Sequence, residues 1–122
     1  MSTPVSTFFR TLEDEMPGFR SAAVGHLDQP GQLTVHAVGD LSLDEASAEL
    51  SAMVGGFVGT YAALGGRIDL GSNDELLVSA SKGYLLVKVD HRSKRFVAVL
   101  LSSSGNIGFL RFRLRAMLRD LA

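Results

Sequence analysis

The sequence predicts an α+β domain. It has a five-stranded antiparallel sheet, with elements in the order helix-strand-strand-helix-strand-strand-strand-helix and helices on both faces. Three observations carry this expectation. Residues 42–65 keep a helical apolar period over a long stretch opened by a capping box and closed by Gly65-Gly66. Residues 96–101 alternate as a strand but are apolar on both sides, Phe96, Ala98 and Leu100 against Val97, Val99 and Leu101. Such a strand belongs in the middle of a sheet covered twice. Finally, 122 residues with 46% hydrophobic content suit one domain, spanning 1–122, with a substantial core.

Taken in order, the first element is a helix over 4–16. Thr3 is placed to cap it and Pro4 to occupy its first position, where the missing amide costs nothing. Val5, Phe8, Phe9, Leu12 and Met16 share one face. Glu13, Asp14 and Glu15 lie mostly on the other, as a solvated surface, and Pro17-Gly18 ends the helix. Two strands follow at 20–27 and 32–38. The turn expected between them is Asp28-Gln29-Pro30-Gly31, since proline presets one torsion and glycine allows a positive one.

The helix at 42–65 organises the rest. Ser42 and Glu45 form its capping box, and Asp44 and Glu45 favour the positive end of its dipole. Leu43, Ala46, Leu50, Met53, Val54, Phe57, Tyr61 and Leu64 make a broad apolar face suited to a sheet. Roughly opposite runs a stripe with almost no side chain: Ala48, Ala52, Gly55, Gly59 and Ala63. Each of Gly55, Gly56 and Gly59 costs about 1 kcal/mol against alanine within a helix. That expense is explained where another backbone comes close, so the bare stripe predicts a helix-to-helix contact, with a solvent-facing stripe as the alternative.

Three strands follow, at 74–81, 84–90 and 96–101. The turn at Lys82-Gly83 is expected to use a positive φ at the glycine, and the polar residues 91–95 make the second turn. In the middle strand Leu85, Val87 and Val89 face away from Lys88 and Asp90. The last helix, 106–121, starts at Asn106 as N-cap. Ile107, Leu110, Leu114, Met117, Leu118 and Leu121 form its core face. Arg111, Arg115 and Arg119 recur every four residues, and Phe109, Phe112 and Ala116 form a second, smaller apolar patch.

Chemistry is sparse. Net charge is −1 and there are no cysteines, so neither a disulfide framework nor a thiolate metal site is expected. His26, His36 and His91 do not converge as metal ligands in the predicted hairpin, where His26 falls opposite about Leu33 and His36 opposite about Ala23. No nucleophile elbow or phosphate-binding glycine loop occurs. The expectation is therefore no catalytic residue, no metal and no cofactor. Ser102-Ser103-Ser104-Gly105 before the last helix reads either as an anion site or as a capped junction. The arginine stripe is short and lacks a sheet surface with exposed aromatics, which argues against nucleic acid. No basic-then-apolar leader and no membrane-length apolar run appear, so membrane insertion is not expected and a cytoplasmic location is.

The strand pair at 82–89, KGYLLVKV, and the junction NIGFLRFRLR at 106–115 resemble the roadblock / dynein light-chain family, and the element order agrees along nearly the whole chain. The junction is similar to that of bacterial gliding-motility members, which regulate a small Ras-like GTPase. The resemblance implies a homodimer whose equivalent helices pack antiparallel and whose outer strands join into one sheet. Ala48, Ala52, Gly55, Gly59 and Ala63 are then the dimer-interface candidates, and Phe109, Arg111, Phe112, Arg115 and Arg119 the partner-binding candidates. It implies a non-catalytic regulatory or scaffold protein. The competing readings are a small-molecule-sensing domain and a structural light chain without GTPase regulation. Large residues on both faces of 96–101 argue against a ligand cavity.

The bare stripe gives a direct test. Gly59→Leu puts a bulky side chain where two backbones are expected to approach, so light scattering should show a dimer for the wild type and a monomer for the variant. A monomeric wild type at micromolar concentration would refute the contact.

Overall fold

The computed structural model describes residues 4–26, 28–37, 75–90 and 92–121, the side chains of 29–33, 37, 120 and 121 excepted. The predicted helix at 42–65, with Ala48, Ala52, Gly55, Gly59 and Ala63, lies outside the described residues, as do Thr3 and His91 and the side chain of Leu121. Within the described residues the elements are α1 (Pro4–Glu15), β1 (Phe19–His26), β2 (Gln29–Ala37), β3 (Glu75–Ala80), β4 (Gly83–Asp90), β5 (Arg95–Ser102) and α2 (Ile107–Leu121). The strands form one antiparallel sheet in the order β2-β1-β5-β4-β3.

β5 is the central strand, as its two apolar faces require. Val97, Val99 and Leu101 point into a core shared with Phe8, Phe9 and Leu12 of α1 and Leu110 and Leu114 of α2. Phe96 and Ala98 point the other way, into a second cluster with Ala23, Leu85, Val87 and Val89. Both described helices therefore cover one face, and the opposite face is buried as well. Ser21, on the face of the second cluster, is fully buried, and its hydroxyl has no hydrogen-bond partner among the described residues. An orphaned buried hydroxyl costs on the order of 1–3 kcal/mol, which the surrounding apolar packing must offset.

The structure corrects two local expectations. The first hairpin does not turn at 28–31. β2 already resumes at Gln29 opposite His26, and the register then shifts before Val24 meets Thr34. Pro30 lies inside this edge strand, where a residue without an amide is tolerated at an irregularity. The shift pairs His36 with Ala22 and His26 with Gln29 rather than with Ala23 and Leu33, so the two histidines remain apart.

The second correction concerns Gly83. It is not among the positive-φ residues; those described are Gly18 (φ 80°) and Lys94 (φ 58°). Gly83 is needed for space instead, because a side chain there would run into the Leu101 carbonyl oxygen. Gly18 serves conformation and space together, since a Cβ would lie 2.6 Å from the Ser102 hydroxyl oxygen. Its carbonyl accepts from the Ser102 amide at 2.8 Å, while the Ser103 amide donates to the Lys82 carbonyl at 3.2 Å. The end of β5 is thereby tied to both of its flanks before the chain enters α2.

Val99 is fully buried between Ala22 of β1 and Leu86 of β4. Val99→Asp strands a charge there at a cost of several kcal/mol, against a domain stability of roughly 5–15 kcal/mol. The variant should lose its cooperative thermal transition by circular dichroism, and a normal transition would contradict the central place of β5.

Candidate interaction surfaces

α2 begins where its sequence says it should. The Asn106 side-chain oxygen accepts from the Phe109 amide at 3.0 Å, and the Asn106 carbonyl accepts from the Leu110 amide at 3.0 Å. The preceding serines satisfy one another, with Ser102 and Ser104 hydroxyls 2.7 Å apart. This is the capped junction, with the polar groups turned to local bonds.

With Leu110, Leu114, Met117 and Leu118 buried, the helical period forces the intervening residues outward. Phe112 is 73% exposed and Phe109 40%. Arg111, Arg115, Ala116 and Arg119 are exposed too. The arginines do not act as one stripe. Arg111 is held by Glu75 of β3 through two contacts, Nε donating to Oε1 at 3.1 Å and Nη2 lying 2.9 Å from Oε2. Lys88 of β4 approaches the same carboxylate at 3.9 Å. Arg113 forks onto Glu15 of α1, at 2.8 and 3.3 Å. Arg115 and Arg119 make no ion pair among the described residues. The structure thus brings together Phe109, Phe112, Arg115 and Arg119 of the predicted partner-binding set and assigns Arg111 to a local tie.

The acidic run of α1 is likewise more than a solvated face. Glu13 Oε2 lies within hydrogen-bond distance of His36 Nε2, at 3.0 Å, and the imidazole stacks on Phe9 with centroids 5.4 Å apart. Glu15 holds Arg113, leaving Asp14 exposed between them. Position alone hid these partners, because they are 23 and 98 residues away.

A second surface comes from β3, an edge strand with Leu77 37% and Val78 43% exposed. Adjacent residues of a strand point to opposite faces, so both sides of this edge are apolar and accessible. The run of Leu76, Leu77 and Val78 was the available signal in the sequence, since a one-faced strand would alternate. The turn between β4 and β5 is built differently. Asp90 accepts from the Arg92 amide at 3.1 Å and from the Ser93 hydroxyl at 2.9 Å, and so uses its carboxylate to close the turn. No three His, Cys, Asp or Glu side chains among the described residues are grouped to hold a metal ion, and no described helix is long and apolar enough to cross a membrane.

The Arg113–Glu15 pair is partly exposed, at 30% and 40% of the side chains. A double-mutant cycle with Arg113→Ala and Glu15→Ala, read by chemical denaturation, should give a coupling below about 1 kcal/mol. A larger value would make the pair, rather than the apolar core, the tie between the two helices.

No family model matches the sequence, and no curated protein is significantly similar to it. Solved structures are similar in fold. A Roadblock/LC7 domain from Streptomyces avermitilis superposes with a TM-score of 0.75 at 19% identity, over 92% of this chain and 89% of that one. The gliding protein MglB from Thermus thermophilus gives 0.72 at 14% identity, over 100% and 90%. Myxococcus xanthus MglB gives 0.65 at 18% identity, over 92% and 85%. Strand order, double-faced central strand and paired outer helices together identify the fold of this chain as that of the Roadblock/LC7 domain.

Proposed function

We propose that the protein is a non-catalytic, homodimeric regulatory or scaffold module that acts with a small Ras-like GTPase. The observation that carries the reading is the shared fold with MglB from two organisms, joined to the sequence resemblance of 106–115 to gliding-motility members that regulate such a GTPase. Fold alone does not convey function, so the residues must supply the rest. The open β3 edge, with Leu77 and Val78 exposed, supports association of two copies through their sheets. The small-residue stripe Ala48, Ala52, Gly55, Gly59 and Ala63 in the sequence supports a close helix contact as well. Regulation needs no catalytic group from this chain, because ordering the partner's switch loops is sufficient. Side chains filling both faces of β5 favour this reading over a small-molecule sensor.

The test is affinity purification from the native cell, with GDP or a GTP analogue added. The expected result is a small GTPase retained more strongly in one nucleotide state, on a bait that elutes as a dimer. Absence of any GTPase in both states would overturn the regulatory reading in favour of an adaptor or light chain.

A further inference from the structure

We propose that the outward face of α2 docks an amphipathic helix of a protein partner, one whose apolar stripe is flanked by aspartate and glutamate. The proposal stands without the GTPase reading. It begins with Phe112, which at 73% exposure keeps most of a large aromatic ring in water. Phe109 and Ala116 lie three residues before and four after it, on the same side of the helix, and both are exposed. Spacing of three and four is that of a seam between paired helices, and the small Ala116 lets a second backbone come near.

Charge identifies the occupant. Glu75 already holds Arg111 and Glu15 holds Arg113, whereas Arg115 and Arg119 are exposed beside the seam without an ion pair among the described residues. The face is therefore apolar with a cationic flank, and its complement is an apolar stripe with an anionic one. A second copy of α2 fits poorly, since it would set Arg115 and Arg119 against their own kind. A flat anionic bilayer also fits poorly, because α1 packs in the same layer and exposes Glu13 and Asp14 against the single Arg10, while Glu15 already offsets Arg113. A partner helix is narrow enough to meet α2 and miss those carboxylates.

The test uses the full chain and two synthetic peptides. One is an amphipathic helix with a leucine stripe flanked by glutamates, and the other carries lysines in place of the glutamates. The glutamate peptide should shift the amide resonances of residues 109–119, and its affinity should fall as salt rises. Phe112→Ser should weaken it about tenfold or more. Arg115→Glu with Arg119→Glu should weaken it likewise and transfer binding to the lysine peptide, while Arg111→Gln should leave it unchanged. Thermal transitions of all variants confirm that they fold. The proposal is overturned if the two peptides bind alike, if neither shifts α2, or if Phe112→Ser binds as the wild type does. Phosphatidylserine vesicles that shift these amides when the peptide does not would assign the face to a bilayer. Self-association that Phe112→Ser abolishes would assign it to a second copy.

Discussion

Everything described depends on β5 being apolar on both faces. A strand with one polar face can sit at the rim of a sheet and be covered once. Phe96 to Leu101 cannot, because Val97, Val99 and Leu101 need one cover while Phe96 and Ala98 need another. That requirement puts β5 in the centre, sets β1 and β4 beside it and sends β2 and β3 to the edges. It also explains why α1 and α2, from opposite ends of the chain, lie together: the first core needs apolar side chains from both.

The edges are where the molecule becomes available to others. Interior strands are matched in register apart from a shift between Phe19 and Ser21, with Val99 between Ala22 and Leu86. Such pairing occupies the backbone groups of the ladder, so interaction surfaces arise where pairing or burial stops. Among the described residues that occurs at the two edge strands, β2 and β3, and along the outward face of α2. β3 and α2 are linked physically, because Glu75 of β3 grips Arg111 of α2. One carboxylate thus joins the strand edge to the helix, and Lys88 approaches it as well.

The sequence disclosed the described elements and their core, because apolar periodicity is local and 85, 87 and 89 or 110, 114 and 118 announce their faces within a few residues. The cap at Asn106 was legible for the same reason. Turn geometry was not. Pro30-Gly31 looks like a turn when read alone, yet the chain turns before it and absorbs the proline in a register shift that only pairing with β1 defines. Gly83 was expected for its torsions and is required for its lack of a side chain, a matter decided by Leu101, far along the chain. The evenly spaced Arg111, Arg115 and Arg119 looked equivalent until Glu75, 36 residues from Arg111, singled one out.

The two edges of the sheet are chemically unequal, and this bounds how sheets of this protein can grow. On β2, Pro30 withholds a donor and the register slips beside it, while Glu13 and His36 fasten the helix against the strand. On β3, residues 75–80 contain no proline and carry apolar side chains on both faces. β3 is consequently the rim with an uninterrupted row of donors and acceptors, and β2 the rim without one. A sheet with one adhesive rim terminates after a single addition, whereas a sheet with two would polymerise. The asymmetry of the two described rims is thus a barrier to open-ended sheet growth.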